Sequence, residues 1–153
     1  DVTNMDHMFH NSDVINLPLI DTSKVTSMYY MFAYCTKITT VPLFDVQNVN
    51  IINGMFYNCT NLKSVPAFSF PYVIEASSMF YACSKLETIH LKEIRFNLDI
   101  HFSTLFTREA LLEIIGNLVT TSRTLKLTIG TTNLAKLTDE DKAIATNKGW
   151  TLA

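Results

Sequence analysis

The chain has 153 residues, of which 48% are hydrophobic and only 17% charged, with a formal net charge of −2. That length suffices for one domain with a real core, and the faint acidity excludes a surface built mainly for nucleic acid. No apolar run approaches the roughly 18–20 residues that cross a bilayer, so no membrane insertion by this chain is expected. It opens on Asp1 without Met or a basic leader, already inside a repeated phrase, and is expected to be a piece of a longer protein.

That phrase is built on a Met-Phe pair at Met8, Met31, Met55 and Met79, in steps of 23, 24 and 24 residues. A fixed period in this range marks stacked units that cannot bury their apolar face alone. Ahead of each pair, apolar residues fall at i, i+3, i+6 and i+7: Val25, Met28, Met31 and Phe32, then Val49, Ile52, Met55 and Phe56. This spacing predicts one or two helical turns lying on a core. After each pair, Ile38 with Val41-Pro42, Leu62 with Val65-Pro66 and Leu86 with Ile89-His90 predict a short strand, which proline helps to end. Unit one reaches Ile15 and Pro18 one residue early. "DTSKV" from Asp21 and "DVQNV" from Asp45 supply turn and cap side chains. The expected fold is an α/β repeat solenoid, a leucine-rich-repeat-like stack of short parallel strands and short helical turns.

The stretch "DTSKVTSMYYMFAYCTKITTVPLFD" resembles the BspA-like group of bacterial surface-protein leucine-rich repeats, whose units commonly read Asp-Thr-Ser-x-Val-Thr-x-Met-x-x-Met-Phe. The resemblance covers residues 1 to about 92. It implies an exported, extracellular or cell-surface protein of bacteria, or of microbes that acquired such genes, often engaged in adhesion. It extends to repeat arrays of gut-bacterial prophage proteins. Unit four departs from the pattern, with Ser69-Phe70-Pro71 in place of the Asp turn and His90 in place of proline.

A boundary is expected near Lys92, dividing repeat units at 1–92 from a capping region at 93–153. Residues 1–92 carry five Lys/Arg and seven Asp/Glu; residues 93–153 carry seven of each. Thr107 should cap an amphipathic helix holding Leu111, Leu112, Ile115 and Leu118 on one side. "RTLKLTI" from Arg123 alternates as a strand. Thr138 and Asp141 form a capping-box pattern for a second helix that Gly149 ends. "WTLA" would be a last strand, completing a helix-strand-helix-strand C-terminal cap continuous with the solenoid. Leu105-Phe106 stands where a degenerate fifth Met-Phe would fall. "NLAKLTDEDKAIATNKGWTLA" resembles the cap that follows such repeats in gut-bacterial and prophage proteins, which places Ala153 near a natural terminus as an expectation.

Cys35, Cys59 and Cys83 each follow the repeat methionine by four residues. With no Cys-x-x-Cys pair among them, they are expected as a structural row filling one notch per unit, with Ser12 standing in at unit one. No paired carboxylates, zinc helix, phosphate loop or nucleophile elbow is present, and neither catalysis nor a cofactor or metal is expected. Tyr34, Tyr57 and Tyr81, with Tyr29 and Tyr30 upstream, would gather into an aromatic stripe that either recognises a ligand or covers the ridge between units. The strand face offers Thr39, Thr40, Lys63, Ser64, Glu87 and Thr88. The expected function is a non-catalytic interaction or adhesion module whose partner is a protein or glycan, not nucleic acid. The alternative is a structural or receptor-binding part of a prophage tail.

Overall fold

The computed structural model describes residues 2–153; Asp1 lies outside them. Successive units run parallel and bond at positions that the repeat makes equivalent. Asn4, Ser27 and Ile51 form consecutive parallel bridges, and Ser69 pairs with Lys92 in the same sense.

The segments around the Met-Phe pairs are not helical: among the described residues, no α-helix precedes Arg108. They are chains of tight turns whose alternate N–H groups have different destinations. In unit two, Met31, Ala33 and Cys35 donate within the unit to the carbonyls of Met28, Tyr30 and Phe32, at 3.2, 3.1 and 3.0 Å. Met28, Tyr30, Phe32 and Tyr34 donate to the next unit, to Ile51, Asn53, Met55 and Tyr57, at 2.9, 3.0, 2.9 and 2.7 Å. A helix would spend all of these donors on itself. Left-handed residues recur at His7, Tyr30, Gly54 and Ser78, and again at Asn11, Tyr34, Asn58 and Ala82. This conformation breaks a right-handed helix every few residues.

The apolar positions read from the spacing are nonetheless the core. Val25, Met28, Met31, Phe32, Val49, Ile52, Met55 and Phe56 are wholly buried. The Phe9, Phe32, Phe56 and Phe80 rings stack in order at 5.4, 5.6 and 5.6 Å, within 6° of parallel. Phe44 and Phe68 stack beside them at 6.2 Å. Unit one has a described neighbour on one side only, and there Met8 is 51% exposed.

Of the expected strands, two form in this part of the chain: β1 (Ser64–Val65) and β2 (Thr88–Ile89), parallel, with Ser64 opposite Thr88 and Val65 opposite Ile89. In unit two the Thr39 carbonyl accepts from Lys63 and Ser64 at 2.8 and 3.3 Å without extending into a strand. Unit one, whose connector is a residue shorter, leaves Ile15 exposed and has no strand there.

The remainder adds β3 (Leu98–Asp99), α1 (Arg108–Gly116), β4 (Leu125–Thr128), α2 (Gly130–Leu134), α3 (Asp139–Asn147) and β5 (Trp150–Leu152). The three strands form a parallel sheet in the order β3-β4-β5. Thr107 caps α1, accepting from the Ala110 N–H at 3.2 Å, and Thr138 with Asp141 forms the full capping box of α3. Gly149 sits at φ 86°, and a Cβ there would lie 2.1 Å from the Thr121 carbonyl oxygen, so this turn accepts only glycine. The Lys148 ammonium donates to the carbonyls of Ile115, Gly116 and Leu118 at the end of α1. Arg108 holds Asp141 with two hydrogen bonds of 2.7 and 2.6 Å, tying α1 to α3. Leu105 is exposed where Met79 is buried, so Leu105-Phe106 does not continue the methionine row. No helix among the described residues is long and apolar enough to cross a membrane.

Among the contacts that join this part to the units, two lie on α1's side of the junction. Ile94 bridges Leu118, donating to the Asn117 carbonyl at 2.8 Å and accepting from Val119 at 3.0 Å. His90, at the proline position of unit four, meets Glu113 of α1 at 2.8 Å, with Lys92 3.8 Å from the same oxygen.

Candidate interaction surface

The tight turns carry their aromatic side chains in register, and the rings meet from unit to unit. Tyr57 and Tyr81 hold equivalent positions and stack at 4.6 Å and 9°. Tyr34 falls one place later in its unit and meets Tyr57 tilted, at 5.4 Å and 46°. Tyr30 fills the gap, 5.5 Å from Tyr57. It does so over Gly54: a Cβ at that glycine would lie 2.5 Å from the Tyr30 ring. The small residue therefore serves both the left-handed backbone and the space above it.

The band is longer than the tyrosine spacing suggests. At one end His7 packs against Tyr29 and Tyr30, and His10 against Tyr34, with centroids 5.4–5.7 Å apart. At the other, Tyr81 meets Phe102 at 4.5 Å, and Phe102 meets His101 at 3.9 Å. Aromatic contact thus runs without a break from unit one into the residues after β3. Tyr29, Tyr34 and Tyr81 keep 39–42% of their surface exposed. The Tyr57 phenol is pushed above its ordinary value, first by desolvation among these rings and then by the Tyr34, Tyr81 and Tyr30 hydroxyls. Because stacking covers much of the ring faces, a ligand meets ring edges and phenol groups, which combine apolar area with hydrogen bonding.

Behind the band lies the cysteine row. Each thiol donates to a phenylalanine carbonyl of the preceding unit: Cys35 to Phe9 at 2.8 Å, Cys59 to Phe32 at 3.0 Å, and Cys83 to Phe56 at 2.9 Å. The N–H of the same cysteine takes the phenylalanine carbonyl of its own unit. All three are free and buried. Burial pushes the Cys83 thiol up to about 12, raises Cys35, and raises Cys59 further still, where neighbouring thiols add to the effect. Thiols held protonated can donate, and they are poor nucleophiles.

The strand-face residues lie side by side but largely satisfy one another. Lys63 and Glu87 pair at 3.8 Å, and Thr88 donates to the Ser64 hydroxyl at 3.0 Å. Thr39 and Thr40 line a shallow cavity of about 250 Å³ with Ile15, Leu17 and Pro42. Its lining mixes hydroxyl and apolar side chains.

A buried network that the sequence pattern did not reveal fixes the far end of the band. Ser103 donates to the Leu86 carbonyl at 2.6 Å. Asn133 of α2 donates to the carbonyls of Ser103 and Ile129 at 2.7 and 2.9 Å. Lys136 bonds the Asn133 side-chain oxygen at 2.9 Å and the carbonyls of Thr104 and Phe106, both at 2.7 Å. The signal available was a lone Asn four residues after Ile129, which has no periodicity of its own.

No curated protein and no solved structure matches the chain. Residues 1–93 match the family model described as "Mycoplasma protein of unknown function, DUF285", which spans the units and stops short of His101 and Phe102 at the far end of the band. The chain belongs to this bacterial repeat family.

Proposed function

We propose that the chain is a binding module displayed at a bacterial surface: a leucine-rich-repeat-like solenoid of the BspA-like type that holds a protein or glycan and performs no chemistry of its own. The observation that carries the reading is the unbroken aromatic band from His7 to Phe102, with three tyrosines two-fifths exposed. Supporting it, parallel bonding at the repeat period gives a stiff scaffold, and stiffness lets many weak contacts add without a large ordering cost. Tyrosine suits recognition because it offers area with few rotatable bonds. Residues 93–153 act as the C-terminal cap, with their charged helices covering the last unit. Export and adhesion rest on the resemblance of residues 21–45 to BspA-like units. The wording of residues 133–153, similar to prophage caps, favours a second reading in which the module belongs to a phage tail and its ligand is a bacterial envelope component.

The test is binding of the purified protein to arrays of glycans and of purified host-surface proteins, beside a Tyr34→Leu/Tyr81→Leu double variant. A discrete ligand set bound by the parent and lost in a stably folded variant is the expected result. Equal binding by both proteins would refute the band as the binding surface. A ligand set confined to bacterial envelope polysaccharides would favour the tail reading.

A further inference from the structure

Units three and four share a backbone motif on the strand side that unit two carries without a partner. In unit four the Glu87 and Thr88 N–H groups both donate to the Lys63 carbonyl, at 2.8 and 3.2 Å. In unit three their equivalents, Lys63 and Ser64, both donate to the Thr39 carbonyl, at 2.8 and 3.3 Å. The next pair in the series is Thr39 and Thr40, and among the described residues their N–H groups have no acceptor. On the turn side the same two units are well joined, with Met5, His7, Phe9 and Asn11 all donating to unit two. The separation is confined to the strand side, where the connector of unit one is a residue short.

Two cavities follow one another along this separation. The first, of about 250 Å³, is lined by Thr39 and Thr40 of unit two and by Ile15 and Leu17 of unit one. The second, of about 430 Å³, is lined by Leu19 and Leu43 together with the carboxylates of Asp21 and Asp45. Leu19 and Leu43 are 79% and 58% exposed. We propose that this edge binds an extended peptide with apolar and basic side chains, running parallel to unit two in the strand place that unit one does not fill.

The main chain supplies the first reason. The paired N–H groups of this position converge on one peptide carbonyl in two other units, so an added strand meets a bonding geometry that the molecule already uses twice. Spacing supplies the second. An extended chain keeps step with its neighbour residue by residue, so a peptide held at Thr39 carries its later side chains past Leu43 and Asp45. Charge supplies the third: the described lining of the second cavity has two carboxylates and no basic side chain, which favours a cationic partner. Both carboxylates are oriented in advance, Asp45 by the Gln47 N–H at 3.0 Å and Asp21 by the Ser23 N–H and hydroxyl at 3.0 and 2.6 Å. At roughly 10–15 Å³ per water-sized group, the first cavity takes about 17–25 heavy atoms, the content of two or three residues. The site shares no residue with the aromatic band, so it does not depend on what the band binds.

The probe is the peptide acetyl-Leu-Lys-Ser-Val-Ser-Leu-Arg-Arg-amide. Its opening copies residues 62–65, whose lysine carbonyl accepts both bonds from unit four, and its leucine and arginines fall level with Leu43 and Asp45. The intact chain is titrated with it and followed by proton–nitrogen NMR. Saturable binding that moves the Thr39 and Thr40 amide signals downfield is expected, and replacing the arginines by glutamates should weaken it about tenfold. Leu43→Ser and Asp45→Asn, both at exposed positions, should weaken it about fivefold and threefold. The Tyr34→Leu/Tyr81→Leu variant should bind the peptide unchanged. No saturation, equal binding of the glutamate peptide, shifts that spare Thr39 and Thr40, or undiminished binding by Leu43→Ser would each overturn the assignment. So would loss of peptide binding in a stably folded Tyr34→Leu/Tyr81→Leu variant, which would move the peptide to the band.

Discussion

Truncating Phe56 to alanine tests the packing at its centre. The ring is wholly buried, with Phe32 on one side and Phe80 on the other, each at 5.6 Å and within 6° of parallel. Removing about 200 Å² of buried aromatic surface at roughly 25 cal/mol per Å² amounts to about 5 kcal/mol, of which the retained Cβ recovers a part. The expected loss is therefore about 3–5 kcal/mol, in line with phenylalanine truncations in other cores. For a chain of this length that corresponds to a fall in Tm of about 6–20 °C. Phe9 serves as an internal control, because it is half-buried and stacks on Phe32 alone at 5.4 Å. Its alanine variant should lose only about 1–2 kcal/mol. Urea unfolding followed by far-ultraviolet circular dichroism measures both. Equal losses at the two positions, or a Phe56→Ala loss below about 1 kcal/mol, would refute the assignment of the phenylalanine stack as the spine of the units.

Other perturbations address separate features. Iodoacetamide should spare Cys35, Cys59 and Cys83 in native protein and label all three in urea; rapid native labelling of any one would contradict the buried row. Cys59→Ala removes the donor to the Phe32 carbonyl and should cost about 1–2 kcal/mol, read from the same urea curves. Gly54→Ala places a methyl group against the Tyr30 ring on a left-handed backbone; a loss of about 1–2 kcal/mol with an altered near-ultraviolet spectrum is expected. The bidentate Arg108 guanidinium, with the Thr138 N–H, holds the Asp141 carboxyl below its ordinary 3.8. The depressed value makes this contribution complete above the unfolded-state pKa and progressively lost as pH falls through the folded one. Asp141→Asn should therefore lower Tm at neutral pH, and the gap to the parent should close in acid; a pH-independent gap would point to something other than the charge. Deleting residues 93–153 should uncover the apolar end of unit four and cause aggregation, and a soluble, cooperatively melting fragment of residues 1–92 would argue against their capping role.

Sequence reasoning located the buried positions more reliably than the backbone that carries them. Val25, Met28, Met31 and Phe32 repeat at three-residue intervals because each must face the core, and an amphipathic helix and a chain of tight turns share that interval. What separates them is the left-handed positions. Gly54, Asn11 and Asn58 are residue types that adopt it readily, but Tyr30 and Tyr34 take the same conformation with side chains that rarely do, held there by bonds to the following unit. The caps at Thr107 and Thr138 and the Gly149 stop were legible because each needs a particular side chain at a fixed offset. β3 and α2 were not: the first is two residues long, and the second is five residues with no side-chain cap. The aromatic band was legible at Tyr34, Tyr57 and Tyr81. Its ends at His7, His10 and Phe102 depend on contacts across units and after β3, which no spacing within a unit encodes.

The alternation of hydrogen-bond partners also gives the array a parity. Within a turn segment one residue bonds inward to its own unit and the next bonds onward, so inserting or deleting a single residue there would exchange every role downstream. A whole unit, by contrast, can be gained or lost without disturbing the pattern. Length variation of one residue is tolerable only where the lattice is silent, in the connectors. The one irregular step obeys this constraint: the offset from Met8 to Ser12 equals that from Met31 to Cys35, and the missing residue falls between Ser12 and Pro18. Relatives that differ in length should therefore differ by complete units, or by single residues in that same connector.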